Sequence, residues 1–262
     1  AADESPAVTN VTVTFDSDGG STVAAQRILR GQKAQRPAAP TKDGYTFIGW
    51  YNKADLQYIN LPEWNFDYPV FENMELVAQW MEARPISTDP ITYLDKDGNQ
   101  QVCTAYTVLT SETKASILDY ADKWYDLPAG WYVVKGDVTI TPRLDTHGAV
   151  NLILTDDCHL TVPWGINVKE GDTFTIYAQS TAEASMGKLT ACLPELSDHE
   201  KSVWPVAGLS GIGAGVRVWA ANDNYYENEG TIIINGGNIH ARGQQGSSAI
   251  GGSYQDRNVS SD

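Results

Sequence analysis

Basic residues are scarce in this chain: 18 Lys and Arg stand against 33 Asp and Glu, for a net charge of −15. The deficit runs the whole length, with 7 bases to 11 acids over residues 1–85 and 11 to 22 over residues 86–262. No Lys/Arg cluster interrupts it. That excludes a surface built to track nucleic-acid phosphates, and equally one built for an anionic membrane. An anionic polysaccharide would bind only through bridging cations or a local basic patch. Long hydrophobic runs are also missing, so nothing here reads as a bilayer-spanning segment. Cysteine is limited to Cys103, Cys158 and Cys192, which follow no metal-ligand spacing. A Cys103–Cys158 bridge and buried free thiols both fit them.

Several catalytic signatures are absent too. There is no nucleophile elbow, and Gly211-Ile212-Gly213-Ala214-Gly215 is not followed by a helical pattern, so it does not read as a phosphate loop. Asp95-Lys96-Asp97-Gly98-Asn99 opens like a calcium loop, but the sixth and twelfth positions lack the required Gly and Glu. An Asp-Gly hairpin turn accounts for it better. A lyase would need a base beside an acidic calcium site. Arg143, Lys169, Lys188 and Arg242 are available, but the sequence brings none of them to acids at a repeat spacing, and His147, His159, His199 and His240 show no partners. The expectation is therefore a protein without catalytic residues, a polysaccharide lyase being the enzymatic alternative.

What is present is all-β patterning in two units. Residues 1–8 are polar, and Ala1-Ala2-Asp3-Glu4-Ser5-Pro6 reads as a mature end left by signal-peptide removal. The first unit is 9–81. Val11-Thr12-Val13-Thr14-Phe15 alternates like a strand and Asp18-Gly19-Gly20 turns it; Ala24 to Arg30 fits a short helix or a second strand. Tyr45 to Tyr51 and Met74 to Trp80 are the later strands, and Trp50, Trp64 and Trp80 are assigned to its core. Residues 82–90, with Pro85 and Pro90, form an extended linker.

The second unit is 91–262. A hairpin at 91–103 turns at Asp97-Gly98, and a short helix is predicted within Ser111 to Tyr125. Brief β-branched strands follow at 131–134, 138–141, 150–154, 160–162, 166–168, 174–178, 188–191, 231–234 and 238–241, and Ser210-Gly211-Ile212-Gly213 recurs as Ser248-Ala249-Ile250-Gly251. Each strand is too short to bury a face alone, whereas stacked rungs bury a continuous core. The predicted fold is a right-handed parallel β-helix, with Ile212 and Ile250 pointing inward; a β-sandwich is the alternative. The last repeat stops at Ser253 before a polar tail, so this unit is expected to be truncated at its C-terminal end.

Two resemblances follow from these motifs. Val13-Thr14-Phe15-Asp16-Ser17-Asp18-Gly19-Gly20, Pro40-Thr41-Lys42-Asp43-Gly44-Tyr45-Thr46-Phe47, Gly49-Trp50-Tyr51, Trp64-Asn65-Phe66-Asp67, Pro69-Val70 and Leu76 to Trp80 resemble the Listeria–Bacteroides repeat, the B-repeat module of internalin-type surface proteins. The resemblance implies a β-grasp-like spacer, although Asn52 to Pro62 is longer than that pattern. Trp131-Tyr132-Val133-Val134, Asn151 to Cys158, Thr175 to Ser180, Gly187-Lys188-Leu189-Thr190 and Gly230 to Gly237 resemble repetitive surface proteins of gut bacteria described as carbohydrate-binding and pectate-lyase-like. Pro194 to Pro205 and Val216 to Glu229 depart from that pattern.

The second departure holds the candidate site. Trp219, Asn222, Asp223, Tyr225 and Tyr226 combine flat aromatic faces with hydroxyl-orienting side chains, and Trp204 in the other departure joins them. The bland reading is that these aromatics pack gaps between rungs. Asp156 and Asp157 are the weak candidates for a metal; as a pair they supply too few oxygens for Ca2+, the one cofactor left open, and a rung corner explains them better. The expected function is an adhesin-like, secreted or surface-exposed bacterial protein that binds a polysaccharide or glycoprotein glycan, inserts into no membrane and contacts no nucleic acid. A host or bacterial protein partner and a purely structural rod are the alternatives.

Overall fold

The computed structural model describes residues 9–56, 63–112, 124–193, 209–214, 216–219, 223–226, 229–243 and 247–251. It divides into two compact units, Ala1–Ala83 and Arg84–Asp262. Both are all-β; among the described residues the helical content is one 3-10 turn, Lys53–Asp55. No helix among them is long and apolar enough to cross a membrane.

In the first unit, β1 (Asn10–Asp16), β2 (Gln26–Leu29), β3 (Tyr45–Asn52) and β4 (Met74–Glu82) form one sheet in the order β2-β1-β4-β3. The stretch that fitted helix or strand is therefore strand. β1 runs parallel to β4, and the outer pairs are antiparallel. Alternation decides which face is buried: Val11, Val13 and Phe15 point inward while the residues between them are more exposed. Trp50 is fully buried, with Phe15 and Phe47 edge-on at 5.0 and 5.5 Å. Trp64 and Trp80 pack against the same core, and Trp80 Nε1 donates to Ser17 O at 3.0 Å.

The second unit opens with a hairpin of β5 (Ile91–Leu94) and β6 (Gln100–Cys103). The Asp95 carboxylate caps its turn, accepting from the Asp97 and Asn99 amides at 2.9 Å each; the Asn99 amide is the main reason its pKa lies below the usual carboxylate range. This is the hairpin turn that the failed calcium-loop match suggested.

The chain then passes repeatedly between two parallel sheets. β7 (Thr107–Val108), β8 (Trp124–Val134), β10 (Arg143–Leu154), β13 (Thr173–Ala178) and β17 (Thr231–Ile234) make one sheet in the order β17-β13-β10-β8-β7, with β12 (Ile166–Asn167) also pairing β10. β9 (Asp137–Thr139), β11 (His159–Thr161), β14 (Lys188–Cys192) and β18 (Asn238–Arg242) make the other, in the order β18-β14-β11-β9. Every neighbour in both sheets is parallel. Sandwich sheets are antiparallel, so this pairing is unlike the alternative fold. A third row of single parallel bridges joins Ile166 to Ile212 and Ile212 to Ile250.

The register stacks like on like. Tyr132, Leu152 and Ile176 lie in one row, Val150, Phe174 and Ile232 in another, and Val138, Leu160, Leu189 and Ile239 in a third. These rows fill one continuous core that includes Ile212. Ile250 departs from expectation. It is 42% exposed because it pairs with Ile212 on one side and meets no further strand among the described residues. The predicted helix also fails in part: residues 124 and 125 open β8, while 113–123 lie outside the described residues.

All three cysteines carry free thiols, with Cys103 and Cys158 buried and Cys192 half-buried. Burial raises the Cys158 thiol pKa. An alkylating reagent should therefore modify Cys192 first in the native protein and reach Cys158 only on unfolding. Peptide mapping after timed labelling would show this; equal native labelling of Cys158 and Cys192 would contradict the packing.

Candidate functional site

The first half of β10 is polar where its second half is apolar, and the first half of β8 sets a single charged residue, Asp126, beside it. Asp126 pairs in register with Asp145, and Asp145 with Asn167, so one polar side chain per pass stacks through three strands. A register shift follows at His147/Val150, and Gly148 there takes φ 79°. Bulges of this kind re-aim side chains. Here the result is a polar corner between the strand halves, closed from the next pass by Lys169 and Asp172.

The geometry is dense. His147 Nε2 lies 2.8 Å from Asp126 Oδ1 and 3.6 Å from Asp145 Oδ2. Lys169 Nζ donates to Thr146 O at 2.9 Å, faces His147 Nδ1 at 3.4 Å, and lies 3.6 Å from Asp145 and 3.7 Å from Asp172. With an ammonium facing Nδ1, that nitrogen accepts and the imidazole proton sits on Nε2, directed at Asp126. Asn167 Nδ2 donates to Asp145 Oδ1 at 2.7 Å. Asp172 accepts from the Gly148 amide at 2.6 Å and from the Thr146 hydroxyl at 2.9 Å. The side chains of Asp145, His147 and Asp172 are 7%, 9% and 8% exposed, whereas Asp126, at 34%, forms the open side.

Burial raises the Asp172 pKa above the usual carboxylate range, against the opposing pull of Lys169 and the hydrogen bonds. A carboxyl held above its unfolded pKa binds its proton more tightly in the folded state. Its contribution to stability is complete below the unfolded pKa and is lost as pH rises through the folded one. Asp172→Asn should therefore flatten the fall in stability with rising pH. Denaturant midpoints from about pH 3 to about pH 7 would test this; an unchanged slope would contradict it.

This corner corrects the sequence expectation that His147 lacks partners and that no base meets acids at a repeat spacing. Lys169 and His147 do meet acids, at spacings set by the passes of the chain. The other basic candidates do not join them: Arg143 and Arg242 donate to backbone carbonyls, and Lys188 is exposed. Asp126, Asp145 and His147 offer donor atoms all within 4.8 Å of one another, the one such group among the described residues.

The candidates taken from the sequence fall in two places. Trp219, Asp223, Tyr225 and Tyr226 lie on β15 (Val216–Trp219) and β16 (Asp223–Tyr226), an antiparallel pair that sets Trp219 opposite Asp223. Trp204 and Asn222 lie outside the described residues. The β15/β16 segment leaves the stack between Ile212, bridged to Ile166, and Glu229, bridged to Lys169. It therefore springs from the pass next to the polar corner. Asp156 and Asp157 sit past the other end of β10, in a turn where Asp157 takes φ 61° and Asp156 accepts from Ser180 Oγ at 2.8 Å.

Comparison with known proteins bears on the first unit. Residues 12–79 match the family described as the Listeria-Bacteroides repeat domain. A protein of Evansella cellulosilytica named "Putative membrane protein" is 36% identical over 74 residues, 28% of this chain and 10% of that protein. Internalin H of Listeria monocytogenes is 47% identical over 45 residues, 17% of this chain and 8% of that protein. The chain thus spans a tenth or less of the length of these relatives.

Proposed function

We propose that this chain belongs to an exported bacterial surface protein in which a β-grasp-like repeat presents a right-handed parallel β-helical unit, and that the second unit binds a glycan. The surface location is supported by the repeat at residues 12–79 and by the names of the relatives that share it. The β-helical reading is supported by in-register parallel stacking in two sheets and by the third row at Ile166, Ile212 and Ile250.

The observation that carries the binding reading is the shared root of two elements. The aromatic β15/β16 segment emerges beside Lys169, next to a corner rich in fixed donors and acceptors. Aromatic faces take the C–H patches of a sugar, and fixed polar groups orient its hydroxyls. The reading is binding without turnover. A base for β-elimination needs a lone pair directed at substrate, and Lys169 Nζ is instead spent on Thr146 O and neighbouring carboxylates.

Replacing Trp219, Tyr225 and Tyr226 together with alanine should abolish retention on the glycan that the wild-type chain binds, while the melting transition is unchanged. Undiminished retention would remove the segment from the site. Wild-type retention that free sugars cannot compete away would favour a protein partner.

A further inference from the structure

We propose that Asp126, Asp145 and His147 form a binding site for a single first-row divalent transition-metal ion, of which Zn2+ is the probe of choice. The inference goes beyond glycan binding and does not depend on it.

Three features build the site. First, the donors are Nε2 of one imidazole and one oxygen from each of two carboxylates, all within 4.8 Å of one another. Three protein ligands with one open side is the arrangement of an accessible metal site; Asp145 and His147 form the buried wall and Asp126 the mouth. Second, the aspartates are stacked in register on adjacent parallel strands. Like charges placed so are mutually destabilising; the imidazole N–H at Asp126, the Asn167 amide at Asp145 and Lys169, 3.6 Å from Asp145 but shared with Asp172, offset them without cancelling the two charges. A 2+ ion matches the pair, and Lys169 remains to offset Asp172 at 3.7 Å. Third, the register shift at His147/Val150 turns the imidazole onto the aspartates of its own strand and the next.

Binding balances without net proton release. The imidazole proton moves from Nε2 to Nδ1, the ion takes the Nε2 lone pair, and Lys169 turns from Nδ1 toward Asp172. Imidazole among the donors favours zinc-like ions, and two carboxylates fall short of the six to eight oxygens that Ca2+ takes.

The test is calorimetric titration of the chelator-stripped full chain with ZnCl2, with Co2+ absorption as a second readout and no glycan present. The expected result is one equivalent bound per chain and a raised melting temperature, with affinity lowered about tenfold or more in both His147→Gln and Asp126→Asn. Asp126 is partly exposed, so its variant keeps the test valid if His147→Gln folds poorly. Absence of saturable Zn2+ binding, or Zn2+ binding unaltered in a folded Asp126→Asn variant, would overturn the proposal. Because the readout is the metal alone, a blank glycan assay leaves its outcome intact.

Discussion

Replacing Arg143 with methionine is expected to lower the stability of the second unit by about 3 kcal/mol, because several buried carbonyls lose a charged donor. Arg143 is 4% exposed and lies at the start of β10. Its guanidinium donates to Trp164 O at 2.6 Å and Ile166 O at 3.4 Å in the next pass, and to Ser210 O and Gly213 O at 3.1 Å each in the pass after. It thus ties three passes together by donating to their backbone carbonyls. Methionine keeps much of the volume but supplies no donor, and each buried acceptor left bare costs about 1–3 kcal/mol. Lysine would recover only part of the loss, because a single ammonium cannot reproduce the fork. Denaturant unfolding of the full chain would show the second unit melting first in Arg143→Met. A change below about 1 kcal/mol would mean that the guanidinium does not hold the passes together.

The second large effect is expected at Gly213. This residue has φ 141°, and a Cβ built there would collide with the carbonyl of Gly251 in the neighbouring pass. Gly213→Ala combines overpacking, about 1–3 kcal/mol, with a backbone conformation that L residues rarely adopt, about 1–3 kcal/mol more. A loss of about 3 kcal/mol is the central expectation. Gly98 is the control: its φ is 79°, but a Cβ there meets nothing within 4 Å. Gly98→Ala should cost only about 1 kcal/mol. Equal costs at the two positions, measured as shifts in unfolding free energy, would show that close approach between passes is not limiting.

The same close stacking explains which elements were legible in the sequence. The apolar second halves of β8 and β10 could be read directly, because Trp131 to Val134 and Val150 to Leu154 are rich in strand-favouring residues. The first halves could not. Pro128 and Gly130 interrupt one, and Arg143, Asp145, His147 and Gly148 give the other the composition of a loop. Tertiary pairing overrides that local signal, since each segment is held by register to the pass beside it. The polar corner was hidden for the same reason.

One signal could have found that corner. Tyr125-Asp126, Leu144-Asp145 and Ile166-Asn167 repeat an apolar residue followed by Asp or Asn, at spacings of one pass of the chain. The Gly-Ile-Gly turns were easier to see, but their symmetry misled at Ile250. Its sequence matches Ile212, whereas burial depends on having a neighbour on both sides. In the first unit β1, β3 and β4 were legible, because Phe15, Phe47 and Trp50 must converge in so small a core, whereas the stretch holding β2 fitted helix or strand equally.

Glycan binding is tested most directly by a glycan array probed with the full chain. The array would include pectins and mucin-type glycans and would be run with calcium and again with chelator. Selective retention on one glycan class is the predicted result. A blank array in both buffers would contradict the account.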